Sequence, residues 1–357
     1  MEQIGRLWRR AAWIKDKALS RLNYKSKSFL ARARMRALSG AELDQRLDTI
    51  PARDLTVAIE LTNKCNANCC FCAYRSLHRE KGRMSAEFFK KSVGAVAQLG
   101  VRKLNFTPMV GDPLCHPQAL ELIQYAADQK CFDGMAMTTN GIAIGKFPMD
   151  LWMKCGLTQV TISTCIGNAA MYERVYGVNA YDLVMSNIKW LVRTNIACGR
   201  PLRIHVISKG EKPTETTTLS ADYLELFELL GSQLSIGEDG YDNWLGEIRG
   251  SDLPKGNSFR AKPVRTGPCA ELFSGFVVGY DGNVGPCWCR DLNLSLRLGS
   301  FPEQTLESIW YGEKLAALRE NWRRGVVPEV CQDCFQYSSP WGNDIILDHF
   351  RTGTRDK

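Results

Sequence analysis

The sequence predicts an α/β chain: a partial, TIM-like (β/α)6 barrel followed by a small C-terminal module of one hairpin and one helix. Three observations predict it. Strand-like apolar runs alternate with helix-period segments six times between residues 55 and 240, the pattern of a parallel sheet with helices outside. Six such units, joined by right-handed crossovers, curl toward a barrel and leave it partly open. Beyond residue 266 the alternation stops, and five of the fourteen cysteines fall in a short-strand and single-helix segment.

The elements follow in order. Leu55–Leu61 (LTVAIEL) reads as a buried strand, and Ser85 caps a helix running to about Leu99. Leu104–Pro108 is the second strand, with a helix near His116–Asp128 after it. Met135–Thr139 is the third, ending at the Asn140-Gly141 turn signal before a helix near Met149–Lys154. Val160–Ser163 is the fourth strand, and Tyr181–Ala197 is a clearly periodic helix. Leu202–Ile207 is the fifth, Leu224–Leu230 belongs to the next helix, and Leu234–Gly237 is a short sixth strand. In the C-terminal module Phe276–Val278 and the Asp281-Gly282 turn form a hairpin, and Leu306–Trp322 reads as one helix. The expected divisions are a basic helical segment 1–54, the barrel 55–240, a Gly-, Asp-, Lys- and Pro-rich linker 241–266, the cysteine module 267–340 and a tail 341–357.

Composition narrows the function classes. The chain has 357 residues, 45% hydrophobic and 24% charged, with no apolar run long enough to span a membrane. Lys15, Asp16 and Lys17 interrupt any signal-peptide core, so a cytoplasmic protein is expected. The net charge of +8 is concentrated: residues 1–36 carry eleven Lys or Arg and two acids, which leaves the remainder at −1. A basic nucleic-acid face on the folded body is therefore not expected. Leu7, Ala11, Ile14, Ala18 and Leu22 recur at helical spacing among Arg6, Arg9, Arg10 and Arg21. Residues 1–36 thus read either as a peripheral helix on an anionic membrane or polyanionic partner, or as a solvated helix docked on the barrel.

Fourteen cysteines without a secretion signal suggest metal ligation in a reducing compartment. Cys65, Cys69 and Cys72 form C-x3-C-x2-C directly after the first strand, at the mouth of the predicted barrel. Three soft thiolates on one tight loop suit a [4Fe–4S] cube with one iron left open. Structural zinc asks for a fourth protein ligand, and no histidine or cysteine pair lies nearby. Cys70 breaks the spacing and reads as a packing residue.

The C-x3-C-x2-C loop, with Phe71 before the last cysteine and Tyr74 beyond it, resembles the signature of the radical S-adenosylmethionine superfamily. Val110-Gly111-Asp112-Pro113 resembles that family's Gly-Gly-Glu-Pro motif, with Val and Asp at its first and third places. Thr138-Thr139-Asn140-Gly141 resembles the Thr-Asn-Gly that follows the third strand. The resemblance implies a [4Fe–4S] cluster that binds S-adenosylmethionine (SAM) at Cys65, Cys69 and Cys72. It implies cofactor contacts from Phe71, Tyr74, Gly111, Asp112, Pro113, Thr139 and Asn140, and a ribose contact from Ser163. Arg174 either meets the methionine carboxylate or is a surface arginine. An electron donor such as a flavodoxin or ferredoxin is implied as partner.

Cys269, the Gly282-x4-Cys287 step and Cys331-x2-Cys334 resemble the SPASM auxiliary-cluster extension in its shortened "twitch" form. That resemblance implies one auxiliary [4Fe–4S] cluster on Cys269, Cys287, Cys331 and Cys334, with a four-cysteine zinc site as the alternative. Cys289 either replaces Cys287 or is a free thiol near the site. A fully ligated cluster favours electron transfer. The layout resembles an aminocyclitol dehydrogenase and related sugar epimerases of this group. The expected reaction is dehydrogenation or epimerisation of a polar small molecule, the alternative a peptide-modifying maturase forming a crosslink or thioether. A non-catalytic, metal-stabilised binding protein is the third reading. Cys289, Cys115 and Cys165 are candidate hydrogen donors, and Glu238 and Asp239, ending the sixth strand, are candidate proton acceptors or substrate holders. His205 is expected to point into the barrel.

Overall fold

The computed structural model describes residues 40–340 apart from Pro108, Glu238 and Asp239. The amphipathic segment 1–36, the candidate acids Glu238 and Asp239, and the tail 341–357 lie outside the described residues.

Nine strands form one sheet in the order β6-β5-β4-β3-β2-β1-β7-β8-β9. The first six are β1 (Thr56–Ile59), β2 (Lys103–Asn105), β3 (Gly134–Thr139), β4 (Gln159–Thr164), β5 (Arg203–Ser208) and β6 (Leu234–Ile236). Each pairs in parallel with its sequence neighbour. This is the predicted half-open (β/α)6 arrangement. Strand alternation decides which side chains meet the helices. Met135 and Met137 of β3, Val160 and Ile162 of β4, and Ile204 and Val206 of β5 are buried, while their immediate neighbours are partly buried or, at Arg203, exposed. The less covered face holds Thr161, Ser163 and His205, as the period-2 reading of His205 implies.

The helices are α1 (Gly40–Asp48), α2 (Ala86–Gln98), α3 (Ala119–Asp128), α4 (Met149–Lys154), α5 (Ala169–Tyr176), α6 (Tyr181–Ala197), α7 (Glu215–Thr218) and α8 (Ala221–Leu230). Ser85 caps α2 as its residue type predicts, its Oγ accepting from the Phe88 N–H at 3.1 Å. The short α5 has no counterpart in the sequence reading. Its four inward side chains, Met171, Tyr172, Val175 and Tyr176, are all buried.

The C-terminal module departs from expectation in two ways. First, its hairpin is not a separate sheet: β7 (Gly275–Val278) adds in parallel to the free edge of β1, and β8 (Asn283–Gly285) and β9 (Gly299–Ser300) follow antiparallel. Every residue of β7 is buried, as a strand covered on both faces must be. Gly275 permits the approach, because a Cβ there would lie 1.8 Å from the Thr56 carbonyl oxygen. Second, the single helix expected over Leu306–Trp322 is two. After α9 (Glu271–Ser274), α10 (Leu306–Trp310) ends at Tyr311-Gly312 and α11 (Glu313–Arg323) starts anew. Arg323 on α11 pairs with Asp44 at 3.0 Å and Asp48 at 2.8 Å of α1, tying the two ends of the described chain together. Among the described residues no helix is long and apolar enough to cross a membrane.

Candidate active site

The loop leaving β1 is anchored at both ends by one buried ion pair. Glu60 is fully buried and accepts from Arg79 at 3.1 and 2.7 Å; Arg79 also reaches Asp281 at 3.3 Å, and the Tyr280 N–H donates to Glu60 at 3.1 Å. The β1 loop and the C-terminal hairpin are thus clamped by the same guanidinium. Between the anchors, the Asn68 N–H donates to the Tyr176 carbonyl at 2.9 Å and the Cys70 N–H to Val175 at 3.0 Å. The end of α5 therefore sets the shape of the cysteine loop. The Tyr74 hydroxyl accepts from the Cys65 N–H at 3.0 Å and closes the loop across its three thiols. Burial pushes the Cys65 thiol up to about 12, with the nearby Asp112 carboxylate adding to it; burial likewise pushes up Cys69 and Cys72. These are thiols that only a cation drawn among them would hold as thiolates.

Asp112 organises the neighbouring loops. It is 2% exposed and accepts from the Thr139 hydroxyl (2.9 Å), the Asn140 N–H (2.8 Å) and the Leu114 N–H (3.0 Å). Burial raises its pKa, and those three donors oppose the rise. Its own N–H donates to the Lys64 carbonyl at 2.9 Å. Gly111 makes the contact possible: its φ is +100°, and a Cβ would meet the Asn63 backbone at 2.9 Å. Asn140 donates to Asn66 at 2.7 Å and approaches the Cys65 sulfur at 3.7 Å. Thr139, Asn140, Gly111 and Asp112 therefore converge on the first thiol loop, with buried Pro113 opening the turn behind them. The Asp112 carboxylate itself is engaged by protein donors.

Ser163 is at the predicted strand end, and its Oγ lies 3.1 Å from the Tyr176 hydroxyl. The Phe71 ring meets Tyr176 and Tyr241 with centroids 5.6 and 5.2 Å apart. Of the two readings of Arg174, its position favours the surface arginine. It projects from the outer side of α5, is 57% exposed, and forms an ion pair with Glu211 at 2.9 Å. A residue flanked by the inward-facing Tyr172, Val175 and Tyr176 has only the outer face left. Cys165 is wholly buried and Cys115 half-buried.

The second thiol group is gathered from three segments. Cys269 precedes α9, Cys287 and Cys289 follow β8, and Cys331 and Cys334 follow α11; all five border one cavity together with Glu271, Arg290 and Gln336. The Cys287 and Cys289 sulfurs are 3.7 Å apart. Hydrogen bonding from Cys289 pulls Cys287 down to about 6, with the backbone N–H groups of Arg290, Cys289 and Asp291 helping; the same contact pushes Cys289 up. The pair is thus asymmetric in its acidity, with Cys287 the more readily ionised thiol. Among the described residues no three His, Cys, Asp or Glu side chains are grouped to hold a single metal ion. A cube takes its thiolates one per corner, a wider spacing than a single ion demands. Both thiol groups fit such a group in donor chemistry and burial.

Glu271 and Lys209 escaped the sequence reading. Glu271 is buried beside the second group with Oε2 unpartnered, and burial pushes its carboxyl up to about 8. An acid two residues after Cys269 in an otherwise apolar stretch was its only signal. Lys209 directly follows β5 with its ammonium 4.9 Å from the Phe71 ring centroid, and burial, then Arg290, lowers its pKa. A charged residue just beyond the C-terminal end of a barrel strand was the signal there. A polar array borders the second group, with Arg290 near enough to Cys72 of the first to favour its thiolate: Arg290 donates to Asp242 (2.8 Å) and Gln336 (3.2 Å), and Arg260 donates to the same Gln336 oxygen (2.9 Å).

Residues 59–242 match the family model for the radical SAM superfamily, and residues 269–335 match that for SPASM, an iron–sulfur cluster-binding domain. The chain is 26% identical over 250 residues to the GTP 3′,8-cyclase of Chlorobaculum tepidum, covering 66% of this chain and 72% of that protein. It is 24% identical over 321 residues to the PqqA peptide cyclase of Xanthomonas euvesicatoria pv. vesicatoria, covering 81% and 82%. Among solved structures, BtrN in complex with AdoMet and 2-DOIA aligns with a TM-score of 0.54 at 16% identity, over 80% of this chain and 94% of that one. Streptococcus suis SuiB bound to the precursor peptide SuiA aligns with a TM-score of 0.56 at 15% identity, over 78% and 68%. At these identities the two structures speak to the fold.

Proposed function

The chain belongs to the radical SAM superfamily, and from that premise we propose that it dehydrogenates or epimerises a hydroxyl-bearing carbon of a polar small molecule, such as a sugar or aminocyclitol. It is a radical SAM enzyme with a SPASM domain, whose cofactors are iron–sulfur clusters and SAM. In the proposed assignment Cys65, Cys69 and Cys72 hold the SAM-binding cluster, and Cys269, Cys287, Cys331 and Cys334 hold an auxiliary one. When bound, these groups supply a carbon-centred radical able to remove hydrogen from an unactivated carbon, and a second centre able to accept one electron.

The observation that carries this reading is the polar seam between the two thiol groups. Asp242 Oδ2 and Arg260 Nε are buried there without a protein partner, so an entering molecule with hydroxyl or amino groups meets an acceptor and a donor already desolvated. Asp242 is placed to take a hydroxyl proton during oxidation, while its Oδ1 stays fixed by Arg290 and the Trp244 N–H. For epimerisation, Cys289, which borders the second thiol group, is the proposed hydrogen donor.

Anaerobic turnover in deuterated water separates the outcomes. A new carbonyl without solvent deuterium supports dehydrogenation; deuterium on the product carbon supports epimerisation. Absence of 5′-deoxyadenosine with every polyol and aminocyclitol offered contradicts the small-molecule reading. Peptide modification is the second reading, favoured by the PqqA peptide cyclase relative, which aligns over most of both chains. Peptide-dependent 5′-deoxyadenosine release with loss of hydrogen from the peptide would establish it instead.

A further inference from the structure

We infer that Trp244 is a positioning residue that couples the two thiol groups, so that order at the second group is transmitted to the cofactor loop. The sequence places it in what reads as a linker. In the structure it bridges both sites. Its indole Nε1–H donates to the Phe71 carbonyl at 3.0 Å, and Phe71 lies between Cys69 and Cys72. Its ring face carries the Arg290 guanidinium, 4.3 Å from the centroid. Arg290 directly follows Cys289 and donates back to the Cys289 carbonyl at 2.6 Å. The neighbouring Asn243 donates to the Asp333 carbonyl at 3.0 Å, within the turn that holds Cys331 and Cys334. One short segment therefore touches the first loop and two of the three segments of the second group.

The backbone bears the same mark. Trp244 and Leu245 have φ of +51° and +62°, two consecutive non-glycine residues in the left-handed region. Large L side chains rarely adopt it, and they persist there when surrounding contacts over-determine them. Asp242 supplies one such contact by accepting from the Trp244 N–H at 2.7 Å, while its carboxylate also pairs with Arg290. The indole is thus held by Asp242 from the backbone and by Arg290 across its face. Its one N–H is spent on the loop between the cysteines of the first group. A shift of the segment carrying Cys287, Cys289 and Arg290 must move the indole, and with it the Phe71 carbonyl.

The test uses the full-length chain and two readouts. The first is hydrogen–deuterium exchange of the metal-free protein, which depends on neither cluster. W244F keeps the ring for Arg290 and loses the donor; R290Q keeps the donor and loses the cation. Both variants are expected to raise exchange of the 65–72 amides about tenfold, the Arg290 change acting at a loop it does not touch. Faster exchange confined to 241–246 overturns the coupling. The second readout is SAM affinity of the iron-loaded protein by equilibrium dialysis, in a cycle of W244F, C334A and the double variant. Coupling predicts that each single change weakens SAM binding about tenfold and that the double variant is no worse than either. Additive losses, or a C334A protein binding SAM like the parent, overturn it. The inference rests on the two-cluster reading only in this second arm. If the parent protein binds no SAM at all, that reading fails, and the exchange arm still decides the coupling.

Discussion

The two thiol groups are built on opposite principles. The first is local: three cysteines lie within eight residues, and their loop is shaped by neighbours that arrive with the barrel, namely the end of α5, Asp112 and the Glu60–Arg79 pair. The second is gathered from segments as distant as Cys269 and Cys334, so its geometry exists only when β7, β8 and α11 are in place. Bringing distant segments together costs chain entropy that a short loop does not. The electrostatics differ as well. The first group has a buried carboxylate, Asp112, satisfied by protein donors. The second has a buried arginine beside it and a carboxylate, Glu271, with a free oxygen. The lesson is that a site legible as a motif can be prearranged by short loops, whereas a site legible only as scattered cysteines depends on tertiary structure.

Breaking each site separately gives the largest expected effects. Cys65→Ala should abolish 5′-deoxyadenosine formation while about four irons remain at the second group. Cys331→Ala should give the reverse: cofactor cleavage persists, product formation falls by orders of magnitude, and about four irons are lost. Identical iron loss in both variants would dissolve the division between the sites. Next is Arg79→Ala, which should destabilise the metal-free protein by about 3–5 kcal/mol in urea unfolding, because it leaves the fully buried Glu60 uncompensated and frees the hairpin at Asp281. Asp112→Asn keeps the shape but loses a charged acceptor for three donors. About 1–3 kcal/mol of stability should go, with SAM affinity falling more than iron content. The smallest effect belongs to Arg174→Ala. Its exposed pair with Glu211 is worth within about 0.5 kcal/mol, and SAM affinity should hold. A tenfold loss of affinity would show that Arg174 reaches the cofactor after all.

Most of the barrel was legible because period-2 and period-3.6 patterns report burial directly. The six strands and the helices Met149–Lys154 and Tyr181–Ala197 were all read from apolar spacing. The first thiol loop was legible because its residues are contiguous. What was missed depends on partners far along the chain. Nothing local in Gly275–Val278 says that the strand will add to β1; only the fit of Gly275 against Thr56 does. The break at Tyr311-Gly312 was signalled by glycine, yet the apolar periodicity of the two helices runs across it. The sequence left Arg174 between two readings because its neighbours point inward while it does not. Trp244 read as linker because the groups it joins, Phe71 and Arg290, are distant in sequence and meet only in the folded chain.

The proposed chemistry depends on the loop of Cys65, Cys69 and Cys72, and one measurement reaches it directly. Full-length protein, reconstituted with iron and sulfide without oxygen and reduced with dithionite in the presence of SAM, should contain about eight irons and release methionine and 5′-deoxyadenosine. The Cys65→Ala protein should release neither. Parent protein that takes up iron yet leaves SAM intact, or a Cys65→Ala protein that still cleaves it, would contradict the assignment of this loop.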